Sequence, residues 1–174
     1  TTPSIEFTVR IRAAGGYNEA YNVILPVSFD YYPGEWVELG GSASGGGIGS
    51  GNVRTPSLAI GNDGNPIVAW YTMDGLWDIY IKRFNGASWG EVGSGSASGG
   101  GISNTVGGSW YPSLAIGTDS NPIVAWQEDA WPSSQYKIYI KRFNGASWVE
   151  VGTGSASGLG ISNTAGNFYR PSLE

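Results

Sequence analysis

The sequence predicts an all-β protein built from one four-stranded antiparallel unit used more than once. Three observations predict it. A stretch from Pro56 to Val106 returns almost letter for letter from Pro112 to Ala165, and a third copy opens at Pro171 with Pro-Ser-Leu. The 29 glycines and 9 prolines break helices too often for a helical protein and follow no collagen-like triplet. Within each copy, short apolar runs rich in β-branched and aromatic residues stand between turn formers.

In chain order, residues 5–12 (IEFTVRIR) alternate, with Ile5, Phe7, Val9 and Ile11 on one face and Glu6, Thr8, Arg10 and Arg12 on the other. Gly15-Gly16 tips a turn, and residues 21–31 read as a second strand in which Pro26 marks an edge or a bulge. EWVELG (35–40) follows the Pro33-Gly34 turn. With one deletion, EWVELGGSAS matches SWGEVGSGSAS (88–98) and SWVEVGTGSAS (147–157). Residues 1–40 therefore read as a divergent partial repeat carrying strands two to four. The alternative is the tail of a separate sandwich-like domain.

The full repeats span 41–98 and 99–157, and 158–174 holds a linker and the first strand of a further copy. Within each, PSLAIG is strand one, followed by a Gly/Asn/Asp turn at 61–65 and 117–121. PIVAW (66–70 and 122–126) is strand two, with proline first, where its missing N–H costs least. IYIKRF (79–84 and 138–143) is strand three. Asn85-Gly86 and Asn144-Gly145 signal a hairpin, lengthened by the Ala-Ser that follows. SWxEVG is strand four, and a Gly/Ser-rich run leads to the next Pro-Ser-Leu. The copies start 56 and then 59 residues apart, and the extra residues fall in the connection between strands two and three.

Four antiparallel strands per repeat suit the blades of a β-propeller. PSLAIGxDxNPIVAW and IYIKRFNGxSW resemble bacterial repeat propellers of the secreted or surface kind, relatives of the kelch and sialidase Asp-box families. The resemblance covers 35–174 well and 1–34 weakly. The Asp-box proper, S-x-D-x-G-x-T-W, does not match: Asp63 precedes Trp70 by seven residues rather than five, and Thr118-Asp119-Ser120 lacks the glycine. Sialidase chemistry is not implied.

In blades stacked face to face, Trp89 and Trp148 would be core residues. Full burial would make Trp148→Ala cost about 3–5 kcal/mol. About three blades do not close a ring that typically needs about 4–8. The C-terminal first strand of one chain is expected to complete the N-terminal blade of another, so that a homodimer forms about six blades around a twofold axis.

Composition narrows the chemistry. A net charge of −5 argues against nucleic acid or an anionic membrane as partner. No apolar run reaches the roughly 18 residues of a membrane span. No cysteine or histidine is present, which removes thiol nucleophiles, Cys-ligated zinc and the usual neutral-pH general base. No signal peptide is visible and the chain does not open with Met, so it reads as a segment of a longer product. The resemblance implies an extracellular or cell-surface location.

The first-to-second and third-to-fourth turns share one end of a blade and barely vary. The opposite end gathers the variable connections and is the expected binding face. Trp77, Trp110, Trp131, Asp74 and Asp129 are its candidate ligand-binding residues, with Tyr111, Tyr169, Arg54 and Glu128 nearby. Aromatic faces beside carboxylates suit a carbohydrate, whose C–H face stacks while its hydroxyls need polar partners; the same rings also suit loop packing. A glycosidase pair among Asp74, Glu128 and Asp129 has little support, since loop carboxylates are common. The Asp63 and Asp119 turns are too poor in carboxylates for a calcium loop. No cofactor, metal or catalytic residue is expected. The expected function is a non-enzymatic propeller scaffold, with a lectin-like carbohydrate binder as first alternative and a fragment of a glycosidase-type propeller as second.

Overall fold

The structure is a computed structural model describing residues 36–73, 75, 77–130, 132 and 134–174. Two compact units divide the chain, 1–36 and Val37–Glu174, and all the described strands lie in the second. The strands expected at 5–12 and 21–31 fall outside the described residues. Residues 37–40 form no strand, although Leu39 N–H donates to Ser42 Oγ as Val92 N–H does to Ser96 Oγ.

The fold is all-β: two four-stranded antiparallel sheets, with no helix among the described residues. The first sheet holds β1 (Val53–Ile60), β2 (Pro66–Thr72), β3 (Ile79–Phe84) and β4 (Trp89–Glu91), in that order. The second repeats it with β5 (Ser109–Ile116), β6 (Pro122–Ala130), β7 (Gln135–Phe143) and β8 (Trp148–Glu150). Pro66 and Pro122 sit at the first ladder position, opposite Ile60 and Ile116. The Asn-Gly loops run over 85–88 and 144–147, and each asparagine side chain accepts the N–H groups of the two residues ending its loop.

Three boundaries differ from the sequence reading. The first strands start earlier, at Val53 and Ser109, and accommodate Pro56 and Pro112 by a register shift between Arg54 and Ser57 and between Trp110 and Ser113. Thr55 and Tyr111, immediately before the prolines, take positive φ (38° and 53°), as does Arg170 (47°) before Pro171. A bulge absorbs a residue that cannot donate to the ladder. The second and third strands of the second sheet extend through 127–130 and 135–137, pairing Glu128 with Lys137 and Asp129 with Tyr136. The fourth strands are only three residues long. The reason is that Glu91 and Glu150 turn back to accept hydrogen bonds from the loop after them: Gly95 N–H, Ala97 N–H and Ser98 Oγ for Glu91, and Gly154 N–H, Ala156 N–H and Ser157 Oγ for Glu150. Glu38 likewise accepts from Ala43 N–H. These bonds hold all three carboxyls below the usual range, led in each case by the serine hydroxyl.

Contacts between the sheets concentrate on β1 and β2 against β5. The core is one cluster across that junction: Ile67, Ala69, Ile79, Ile81 and Val92 from the first repeat, Ile102, Leu114, Val124 and Trp126 from the second. Polar bonds fix its register. Leu114 N–H donates to Ser57 Oγ at 3.0 Å, and one repeat later Leu173 N–H donates to Ser113 Oγ at 2.9 Å. Lys141 Nζ donates to Ile102 O and Lys82 Nζ to Ile48 O, both at 2.8 Å. Trp89 and Trp148 are half-buried rather than enclosed, because each stands on the short outermost strand of its sheet.

Candidate functional site

The two ends of the sheets differ in chemistry. At the short-turn end, Asp63 accepts from Arg83 at 2.7 Å and from Asn65, and Asp119 pairs with Arg142 and Asn121. The Asn65 side chain first, then Arg83, lowers the Asp63 pKa to about 2. These carboxylates are occupied in closing their own turns, and Asn62 Nδ2 ties one turn to the next through Ser120 Oγ at 2.7 Å.

The opposite end is aromatic. Trp77 lies just before β3 and meets Trp110 of β5, ring centroids 5.0 Å apart at 63°. Trp110 meets Tyr136 of β7 at 5.7 Å, and Tyr136 meets Tyr169 at 5.5 Å. Trp77 and Tyr136 occupy one repeat position, and Trp110 and Tyr169 another, so the run alternates between consecutive repeats. Edge-to-face and tilted contacts of this kind each add about 0.5–1.5 kcal/mol beyond area burial. Trp77 and Tyr169 at its two ends are exposed. Beside it, Tyr111 meets Tyr71 at 6.1 Å and lies 4.9 Å beneath the Arg170 guanidinium.

Beneath the rings lies a buried polar cluster. Glu128, 2% exposed, accepts from Ser109 Oγ at 2.6 Å, Trp126 Nε1 at 2.7 Å and Thr105 Oγ. Asp78, also buried, accepts from Ser103 Oγ at 3.0 Å. Burial pushes both carboxyls up. The hydroxyl donors oppose it, and the Asp78 charge raises Glu128 further. One repeat on, the Asp78 position is Lys137. It is fully buried, with Nζ 2.6 Å from Thr164 O, 2.8 Å from Gly166 O and 5.4 Å from the Phe168 ring. The Glu128 position in the first repeat is Thr72, and there Trp70 Nε1 is buried without a hydrogen-bond partner.

Of the candidate residues, Trp77 and Trp110 are in contact, and Asp129 pairs in register with Tyr136, the next ring in the run. Asp129 Oδ1 and Gln127 Oε1 are buried and unpartnered. Asp74 and Trp131 lie outside the described residues. Glu128 is a buried strand residue rather than a loop charge. Tyr136, Asp78 and Lys137 were missed, yet aligning the copies backward from IYIKRF pairs Trp77 with Tyr136 and Asp78 with Lys137. Among the described residues, no group of three or more metal-ligating side chains is assembled, and no helix is long and apolar enough to cross a membrane. Comparison with protein-family models, with curated proteins and with solved structures finds no match to this chain.

Proposed function

We propose that the chain is a non-enzymatic β-propeller module, a scaffold that presents the variable end of its blades to a partner outside the cell or at its surface. One observation carries this reading. The bonds that join one repeat to the next recur unchanged, whereas residues at equivalent positions of one end change chemistry from copy to copy. Arg54 becomes Trp110 and then Tyr169; Thr55 becomes Tyr111 and then Arg170. A constant frame with a changing rim is how scaffolds carry recognition. The inner strands touch while the outermost are three residues long, which suits sheets radiating from an axis.

A second reading, carbohydrate binding at that rim, is favoured by the run Trp77, Trp110, Tyr136 and Tyr169, with exposed rings at its ends. A glycan array decides between them. Silence across the array keeps the protein-binding scaffold; saturable binding abolished by Trp77→Ala and by Tyr169→Ala moves the function to sugars. Negative-stain images test the architecture: discs with a central hole support it, and layered or rod-like particles end it.

A further inference from the structure

Two acceptor atoms at the variable rim are enclosed without a donor, Gln127 Oε1 and Asp129 Oδ1. Gln127 as a whole is 4% exposed, and Asp129 is half-buried. They stand two residues apart on β6 and so share one face. That face turns away from the Val124 and Trp126 core, toward the side where Leu173 bonds Ser113. Their Cα atoms are about 7 Å apart by strand geometry, close enough for both oxygens to converge on one small group.

Aromatic rings wall the pair. The register sets Trp110 opposite Gln127 and Tyr136 opposite Asp129. Asp129 N–H donates to Gly108 O at 2.8 Å, which extends the ladder one step. A Cβ on Gly108 would run into the Trp110 indole, so the missing side chain lets that ring lie back toward Asp129, where it meets Tyr136. Tyr136 is pinned in turn. Its N–H donates to Asn167 Oδ1 at 2.9 Å, and its carbonyl accepts from Phe168 N–H at 2.8 Å.

The fold does not need the acceptor pair. The same positions in the first repeat are Tyr71 and Met73, and Met73 N–H makes the matching ladder bond to Asn52 O. Nor do the described residues supply a counter-ion. Lys137, next to Tyr136, directs its ammonium to the carbonyls of Thr164 and Gly166, and both ion pairs lie at the short-turn end. Oxygens enclosed without donors are costly to keep. A carboxylate, an amide oxygen and the π faces of rings all favour positive charge, and the net charge of −5 draws cations.

We propose that Asp129 and Gln127, between the Trp110 and Tyr136 rings, seat a cationic side chain, a lysine ammonium carried by the partner protein. The ammonium enters at the half-buried Asp129, donates to both oxygens and lays its methylenes against the rings. This rests on the scaffold reading and names the chemistry of the partner.

Titration of the full chain with Nα-acetyl-lysine methylamide, followed by ¹H–¹⁵N spectra, tests it. The Trp110 indole and the Asp129 and Tyr136 amides are expected to shift saturably. Nα-acetyl-norleucine methylamide, which has the stem without the charge, and sodium chloride at equal ionic strength should leave them in place. Asp129→Asn keeps the shape and is expected to weaken binding at least tenfold, with the Trp126 indole unmoved. The norleucine comparison needs no variant and decides the matter if Asp129→Asn does not fold. No shift, an equal shift with norleucine, or undiminished binding by folded Asp129→Asn overturns the proposal. So do methyl glycosides that saturate the same resonances. A rim silent to lysine beside a silent glycan array removes this seat and leaves the scaffold; glycosides bound here, with a positive array, remove both.

Discussion

Trp148 donates its indole N–H to the carbonyl of Val92 at 2.7 Å, crossing from the last strand of one repeat to the end of the repeat before it. Trp89 makes the same bond to Leu39 at 2.7 Å. Each ring also tilts against a phenylalanine at the end of the third strand, Phe143 or Phe84. The indole thus combines a junction bond with partial apolar cover. Trp148→Phe keeps most of the cover and removes the bond, and is expected to cost about 1 kcal/mol. Trp148→Ala removes both. Because the ring is half-buried, the cost expected in urea melts is about 2–3 kcal/mol rather than the larger loss of an enclosed tryptophan.

The buried carboxyls set a pH dependence of opposite sign to the surface ones. Glu128 and Asp78 are raised in the folded state above the ordinary 4.5 and 3.8. The folded chain therefore holds their protons more tightly than the unfolded one, and stability falls as pH rises past those values. Asp63 is depressed to about 2 from 3.8, so its contribution is present above 3.8 and is lost as pH falls toward 2. Stability is expected to peak in mildly acidic solution. Glu128→Gln keeps the shape and needs no buried charge. It should flatten the decline above the peak and raise stability at pH 7. A series of melts across pH reads this directly, and an unchanged slope counts against a buried ionised Glu128.

How much of this was legible varies with the kind of signal. PIVAW, IYIKRF and the Asn-Gly loops were readable because apolar runs and turn residues act locally. The β1 and β5 starts were not, since Pro56 and Pro112 read as the first residues of their strands; the bulges at Thr55 and Tyr111, with positive φ, carry each edge strand back past its proline. Gln127–Ala130 looked like loop because it is polar. Glu128 is at home in a strand because Ser109 and Thr105, about twenty residues away, supply donors that a short window of sequence does not contain, beside the neighbouring Trp126 indole. At the variable rim, Trp77 is exposed as its loop position suggests, whereas Trp110 is half-buried, and the run through Tyr136 to Tyr169 depends on the sheet-to-sheet register.

Two neighbouring glycines separate backbone strain from collision. Gly99 (φ 56°) and Gly101 (φ 58°) both adopt the left-handed region. A Cβ on Gly99 would meet nothing, while one on Gly101 would collide with the Ile79 carbonyl oxygen, the same oxygen that accepts from Ile102 N–H at 2.8 Å. Gly99→Ala is expected to cost about 1–2 kcal/mol, the left-handed penalty alone. Gly101→Ala should exceed about 3 kcal/mol, because the loop must lift from β3 and uncover Ile102. Equal costs in chemical denaturation would mean that the loop does not lie against that strand.

Lys137 and Asp78 occupy one position with opposite charge, and the loops that follow them answer accordingly. Asp78 is met by hydrogen-bond donors, the Ser103 hydroxyl and the Thr105 backbone. Lys137 is met by acceptors, the carbonyls of Thr164 and Gly166. The lysine is therefore a tether for residues 164–168, reinforced by the Phe168 ring over its ammonium. Lys137→Met preserves most of the stem's packing and removes the donor. Carbonyls 164 and 166 then turn to water, and the Phe168 N–H bond to Tyr136 O opens more often. Hydrogen exchange should accelerate at Phe168 by about tenfold or more, as the loss of about 1.4 kcal/mol or more requires, while Trp126 and Val124 in the core keep their protection. If Phe168 exchanged no faster, Lys137 would not be what holds residues 168–173 on the second sheet.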